Sequence, residues 1–362
     1  MLSFMGFHVP LDGYGYATMR IARQLQRIDP GVQMIDMRVH PHPTPLPLGE
    51  GNEFGVAGDR EWNVAGDAIA LCTPDWLPYI HADGLIAYTM FEATKLPAGW
   101  ADLINANAQA CLVPSAWCAE VFVNNGVSVP IEVVKWGIDP EDYWLMERNP
   151  HPSPPPSNDK QLHPTVEGER PYTFLWSGTA DRRKGWDVAY RAFCQAFGHD
   201  KRVRLHLHFR DPLPANPRFG DPNVQVTIGR FDRPDLRAML ADADCFVFSS
   251  RGEGWGSPPR EAAATGLPVL ATNYGGLAEE IERWGLPIGI AGMLPAEYGW
   301  WDDIGEWAEP SMEQTVELMQ WCFEHQTEAR DFGREAAMWL RENATFERTA
   351  AGLLSAIYEG VR

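Results

Sequence analysis

Short apolar runs alternate with stretches of helical period along most of the chain, and this alternation limits the fold more than any single motif does. LSFMGFHV opens the series, and YATMRIARQLQRI follows with Met19, Ile21, Leu25 and Ile28 at approximate helical spacing. VQMIDMRV, AIALCT, LIAYTM and ACLVPS read as further strands. Strands with helices between them pair in parallel through crossovers, which predicts βαβ units and parallel sheets. From about Met146 to Arg170 the pattern stops. NPHPSPPPSNDKQLHP is too rich in proline for a helix interior or a central strand, and reads as a stiff linker or as an insertion loop within one domain. The alternation then resumes with YTFLWSG, a helix from about Trp186, VRLHLHF, VQVTIG, PDLRAMLADA, CFVFSS, PVLATN and two late helices, SMEQTVELMQWCFEH and AGLLSAIYEGV. The expected architecture is α/β in two similar halves, residues 1–145 and 171–340, joined through 146–170 and closed by 341–362.

A chain of 362 residues has room for two such halves. Its net charge of −19 repels phosphate backbones and anionic membrane surfaces, which argues against nucleic acid as a partner unless a groove is locally basic. The six cysteines, Cys72, Cys111, Cys118, Cys194, Cys245 and Cys322, form no C-x-x-C pair and no zinc-finger spacing. Reduced thiols packed as small hydrophobes are expected, and no metal site. MLSFMGFHVPLDG lacks the basic and long apolar regions of a signal peptide, and no run approaches the roughly 18–20 apolar residues of a spanning helix. The expectation is a cytoplasmic protein without a transmembrane segment.

The chemistry concentrates in RGEGWGSPPREAAATGLPVLA, Arg251 to Ala271. CFVFSS reads as a buried strand, and EAAATG as a short helix with a glycine stop. Gly252, Gly254 and Gly256 permit backbone conformations and close approaches that a Cβ would block. Pro258 and Pro259 suit a first helical turn, where a missing N–H costs nothing. A helix N-terminus is thereby placed at the C-terminal edge of a parallel sheet, where ligands of open α/β sheets bind and where an anionic group such as phosphate is favoured. Glu253 projects from the loop and Glu261 from the first helical turns. A second glycine corner, NYGGLAEEI, follows on the next strand.

SSRGEGWGSPPREAAATGLPVLATNYGGLAEEI resembles the E-x7-E donor motif of the retaining glycosyltransferases of family 4, the glycosyl transferases group 1. YTFLWSGTADRRKGWDVAYRAF resembles the opening strand, phosphate loop and helix of that family's C-terminal domain. CLVPSAWCAEVFVNNGVSVPIEVVKWGID resembles the last unit of its N-terminal domain, and GYGYATMRIARQL its first glycine-rich loop. The resemblance implies the GT-B fold: two Rossmann-like domains facing across a donor and acceptor cleft, 1–145 for the acceptor and 171–340 for the nucleotide sugar. The helix in 341–362 would pack back on the first domain. It also implies transfer of a hexose from a UDP- or GDP-sugar to the hydroxyl of a glycan, lipid or small molecule, with retention, without a metal and with no cofactor beyond the donor.

Carried over by position, Glu253 would meet hydroxyls of the transferred sugar and Glu261 the ribose. Backbone N–H groups of Gly254, Trp255, Gly256 and Ser257 would reach sugar and diphosphate. Lys184 would offset charge growing on the leaving diphosphate. The loop SGTADRRKG, from Gly178, is one residue short and has Thr179 where the family has arginine, so Arg183 or Arg182 would take that place. Gly13 and Gly15 would let the first loop approach the diphosphate. On the acceptor side, HADGLIAYTMFEATKLP offers His81 before a strand and Glu92 after it. Trp300, Trp301 and Trp307 would either stack on sugars or, as is commoner for aromatics, pack a core. Two other readings stay open: a non-catalytic nucleotide-sugar-binding module of the same fold, and a glycosyltransferase acting on hydroxymethylated DNA bases.

Overall fold

The computed structural model describes residues 1–8, 13–38, 61–146, 170–213, 219–298 and 301–360. It divides into two compact units: Met1–Gly137 with Pro295–Trp307 and Ala344–Arg362, and Ile138–Leu294 with Ala308–Asn343. The first unit is built on a parallel sheet of β1 (Leu2–Gly6), β2 (Gln33–Asp36), β3 (Asp67–Leu71), β4 (Gly84–Tyr88), β5 (Ala110–Val113) and β6 (Ile131–Val133). These lie in the order β2-β1-β3-β4-β5-β6. β1, β4 and β5 are buried at every residue, which is why they read as unbroken apolar runs rather than as alternating ones.

Helix α1 (Gly13–Ile28) follows β1 and buries Ile21 and Leu25, while Met19 and Ile28 are exposed. Helices α2 (Trp100–Asn107) and α3 (Ala116–Asn124) follow β4 and β5. Ser115 caps α3 by accepting from the Cys118 N–H at 3.1 Å, which supplies one of the donors that a helix start leaves without a carbonyl.

The second sheet consists of β7 (Tyr172–Gly178), β8 (Val203–Phe209), β9 (Val224–Ile228), β10 (Cys245–Phe248), β11 (Val269–Thr272) and β12 (Leu286–Ile288). All its pairings are parallel, in the order β9-β8-β7-β10-β11-β12. Counted from its own first strand this is 3-2-1-4-5-6, the Rossmann order, with the reversal between β7 and β10. Phe174, Trp176, Leu205 and Leu207 pack with Ala189, Ala192 and Phe193 of α4 (Trp186–Phe197) into the core of this unit. Helices α5 (Arg233–Asp242), α6 (Ser257–Ala264) and α7 (Ile281–Trp284) come between strands. β13 (Ile290–Pro295) and β14 (Glu306–Pro310) precede α8 (Met312–Glu324), α9 (Gln326–Asn343) and α10 (Phe346–Ser355).

Sequence order and unit membership diverge in three places. Residues 138–146 join the second unit ahead of the proline-rich stretch: Tyr143 donates its N–H to Asp139 at 2.9 Å, and Met146 donates to the Thr265 carbonyl at 3.1 Å. Residues 147–169, and with them nearly all of the expected linker, lie outside the described residues. Pro295–Trp307 belongs to the first unit, where Thr94 and Lys95 donate N–H groups to Glu306 and Ile304 at 3.2 and 3.0 Å. Helix α10 also joins it. Thr349 donates its hydroxyl to the Lys135 carbonyl at 2.8 Å, and a Cβ on Gly137 would stand 2.0 Å from the Thr345 carbonyl carbon.

Helix α9 had no counterpart in the apolar pattern. Its buried stripe is made of Ala329, Gly333, Ala336, Ala337 and Leu340, too small in side chain to stand out among charged neighbours. All six cysteines are free thiols, and five of them are buried. Among the described residues no helix is long and apolar enough to cross a membrane.

Candidate active site

Two loops leave the C-terminal edge of the second sheet where its strand order reverses, 179–185 after β7 and 249–256 after β10. Loop 179–185 turns at Asp181, whose carboxylate accepts the Lys184 N–H at 3.2 Å and the Thr179 hydroxyl. It closes at Gly185, in the left-handed region with φ +68°. A Cβ at Gly185 would stand 1.7 Å from the Ser249 carbonyl oxygen, so the two loops meet through a contact that only glycine allows. Gly185→Ala is expected to cost about 2–5 kcal/mol through strain and overpacking, read as a lower urea midpoint at unchanged m.

The contact continues along the chain. Ser249 donates its hydroxyl to the Gly185 carbonyl at 2.8 Å, Ser250 its hydroxyl to the Arg183 carbonyl at 3.1 Å, and Arg251 its N–H to the same carbonyl at 2.6 Å. Arg251, 2% exposed, anchors the assembly from beneath. Its guanidinium donates to Asp187 at 2.8 and 3.0 Å, to Glu309 at 2.5 and 3.1 Å, and to the Arg182 carbonyl at 2.5 Å. Segments from α4, loop 179–185 and β14 are thereby tied to one side chain.

Above this base the three groups expected to act together do converge. Lys184 Nζ lies 2.6 Å and Arg183 Nη1 3.0 Å from Glu253 Oε1, and Ser250 donates its hydroxyl to the same oxygen at 2.8 Å. Glu253 and Arg183 are both buried. Burial alone would raise the Glu253 carboxyl, but Lys184 and Arg183 more than offset it and hold the group below its usual range. Two cations therefore share the Glu253 carboxylate beside the N-terminus of α6, with the Asp181 carboxylate 4.0 Å from Arg183 Nε. Thr179, in the place of the family's arginine, does not reach into this cluster among its described bonds but shapes the turn through Asp181. Arg183 is the cation that does.

The glycine-aromatic-glycine turn is held by a residue that motif reading passes over. Arg260 lies buried in α6, with its guanidinium 3.8 Å from the Trp255 ring and 4.5 Å from the Trp284 ring. It donates to the carbonyls of Trp255 and Gly256 on one side, and to Gly276 at 2.9 Å and Glu279 at 3.2 Å on the other. Burial pushes its pKa down to about 9, so it stays charged at neutral pH. Trp255 is buried in this stack rather than presented to a sugar. Gly276 is required for packing: its N–H donates to the Glu253 carbonyl at 2.7 Å, and a Cβ there would stand 2.1 Å from the Gly254 oxygen. Gly256, at φ +83°, directs the chain into α6, where Ser257 leads and its first-turn N–H has no helical carbonyl to pair with. Gly178 ends β7, with its carbonyl accepting the Arg210 N–H at 2.9 Å. Glu261 sits on α6, its Oε1 3.8 Å from Arg233 Nη1.

In the first unit, Gly13 and Gly15 stand in the first turn of α1. Glu92 follows the C-terminal end of β4 and accepts the Tyr298 hydroxyl at 3.1 Å. Burial and the Glu92 charge raise the neighbouring Tyr14 phenol far above its ordinary value. His81 is not brought to Glu92. It precedes β4, so a five-residue strand of about 16 Å lies between the two, and its ring nitrogen pairs at 2.8 Å with the exposed Glu61. Trp301 packs edge-on against Phe91 and Trp100, and Trp307 is buried; Trp300 lies outside the described residues.

Residues 171–294 match the family described as Glycosyl transferases group 1. D-inositol 3-phosphate glycosyltransferase of Pseudarthrobacter chlorophenolicus is 27% identical over 205 residues, 54% of this chain and 44% of that protein. Mannosylfructose-phosphate synthase of Agrobacterium fabrum is 25% identical over 169 residues, 39% of this chain and 36% of that protein. These matches take in less than half the length of either curated relative. Among solved structures, HepE of Anabaena in complex with UDP and glucose superposes with a TM-score of 0.65 over 99% of both chains at 14% identity. Residues 171–294 thus resemble the glycosyl transferases group 1 family, and the chain that carries them has the GT-B fold of two parallel-sheet Rossmann-like domains.

Proposed function

We propose that this protein is a retaining glycosyltransferase that moves a hexose from a nucleotide-diphosphate sugar to an acceptor hydroxyl. The convergence of Lys184 and Arg183 on Glu253, at the reversal point of a Rossmann-order sheet and beside a helix N-terminus, carries the reading. A donor diphosphate brought to this corner meets two cations and the amides of Gly254, Trp255, Gly256 and Ser257. The cations that rest on Glu253 in the free protein turn to the phosphate, and the carboxylate they release is left to accept hydroxyls of the sugar. Glu261 takes the ribose.

In the transfer step the acceptor oxygen bonds to the anomeric carbon as its bond to the β-phosphate oxygen breaks. The acceptor proton passes to that leaving oxygen on the same face of the sugar. Lys184, Arg183 and the loop amides take up the charge that grows on the phosphate, the part a metal ion plays in other transferases. A base of the glycosidase kind is then not required, and Glu253 positions the sugar and stabilises its developing positive charge rather than attacking it. Glu92, held by Tyr298, is the acceptor-side carboxylate of this reading.

The UDP and glucose named with the Anabaena structure make UDP-glucose the first donor to test, with GDP-mannose beside it. Thermal shift against a panel of nucleotide sugars is expected to single out one base, since a ligand at 100 times its Kd raises stability by about 2.7 kcal/mol. The selected donor should then be hydrolysed slowly without an acceptor. Tight binding with neither hydrolysis nor transfer to any acceptor would favour the non-catalytic module instead.

A further inference from the structure

The segment that enters the second unit after Gly137 ends against Glu261. Asp139 organises it, accepting the N–H groups of Glu141, Asp142 and Tyr143. Tyr143 is 1% exposed, an unusual depth for a phenol in a connecting segment. Arg233, the first residue of α5, lies with its guanidinium 5.8 Å from the centre of the Tyr143 ring and donates Nη1 to the Tyr143 hydroxyl oxygen. That same nitrogen is 3.8 Å from Glu261 Oε1. One guanidinium nitrogen therefore holds the phenol oxygen and the carboxylate side by side. A phenol that accepts from Arg233 keeps its own proton to donate, and the hydroxyl is bonded to Glu261. The rest of the segment is fastened independently: Arg237 pairs with Asp142 at 3.8 Å and lies 5.1 Å from the Trp144 ring centre.

A glutamate has three side-chain torsions, and gripping two neighbouring ribose hydroxyls needs the carboxylate plane held in one orientation. We infer that Tyr143 and Arg233 are positioning residues for Glu261, fixing its carboxylate for the donor ribose and so setting the preference for ribose over 2′-deoxyribose. The inference rests on the assignment of Glu261 to the ribose. It adds a specificity device built from a residue 118 positions upstream of that glutamate (261 − 143) and from the start of a different helix.

The test compares UDP-glucose with its 2′-deoxyuridine analogue on the full chain. Tyr143→Phe removes one hydroxyl and keeps the ring. It is expected to raise the UDP-glucose KM about 5–10-fold with kcat within twofold, and to shrink the ribose preference by the same factor, roughly that of one hydrogen bond to a charged group. Arg233→Lys, which keeps the charge but loses the fork, should shrink the preference in part. Trp144→Phe, in the same segment but away from Glu261, should leave it at the wild-type ratio. If Glu261→Gln abolishes the preference while Tyr143→Phe and Arg233→Lys both retain it in full, the positioning role is overturned and the ribose assignment stands. If Glu261→Gln itself keeps the wild-type ratio, the ribose assignment falls and the positioning role with it.

Discussion

Arg251→Met is expected to lower the unfolding free energy by about 3–5 kcal/mol, the loss typical when one partner of a buried ionic group is removed. The five bonds of its guanidinium use every donor an arginine has, and their partners come from three separate segments. Methionine fills similar volume but removes the cation that joins the Asp187 and Glu309 carboxylates, leaving Asp187 only its pair with Arg191 at 2.9 Å, and takes the Arg251 donor from the Arg182 carbonyl. Lysine keeps the charge yet offers three donors and no planar fork, so Arg251→Lys should recover only part of the loss. The effect has a definite pH dependence. Burial would raise Asp187, but its bonds to Arg251 hold it below the usual carboxylate range. A carboxyl depressed in the folded state contributes stability that is present above its unfolded pKa and fades as pH falls through the folded one. Urea titrations should therefore show wild type and Arg251→Met far apart at pH 7 and converging in acid.

Lys184→Ala should reduce kcat by about 10²–10³-fold, the range seen when a preorganised group is removed from a developing oxyanion. The donor KM should rise with it, since in the proposed mechanism the same cation meets the diphosphate before the reaction. Glu253→Gln should behave differently in a way that tests the proposed exchange of partners. Transfer is lost, but isothermal titration with UDP should show affinity equal to or tighter than wild type, because the cations no longer have a carboxylate competing for them. Without UDP the variant should be less stable, as Arg183 and Lys184 lose the carboxylate they share and keep only Asp181 near them, and UDP should restore the difference. Weak UDP binding by Glu253→Gln together with full transfer would sink the assignment of this cluster.

What the sequence made legible were features whose parts lie close along the chain. The strand and helix alternation announces two parallel sheets, and RGEGWGSPPRE places both glutamates and the helix start within a few residues of one another. The residues it concealed are those whose partners are remote. Arg251 finds Glu309 58 positions on, and Arg233 meets Tyr143 across 90; Arg183 was offered beside Arg182, and only its contact with Glu253, 70 positions on, separates the two. Arg260 and Arg251 are also the wrong residue type for a core by any composition rule. Buried arginines announce themselves only when their carboxylate and carbonyl partners are seen. His81 and Glu92 were legible as lying before and after one strand, and the structure gives that strand its length, which keeps the two apart. In the stretch 295–307, the aromatic residues gave no sign that the chain there returns to its first unit.

The division of the chain into interleaved units bears on how it is made. Ribosomal synthesis delivers residues in order, and domains generally fold as units while that proceeds. Here the first unit includes α10, whose buried Phe346, Ala350 and Leu353 are translated after the entire second sheet. The nascent protein can thus complete its second unit while its first still lacks a wall, with Gly137 and Lys135 waiting for Thr345 and Thr349. The half begun first is finished last, and during that interval its unfinished surface is exposed to chaperones and to neighbouring chains.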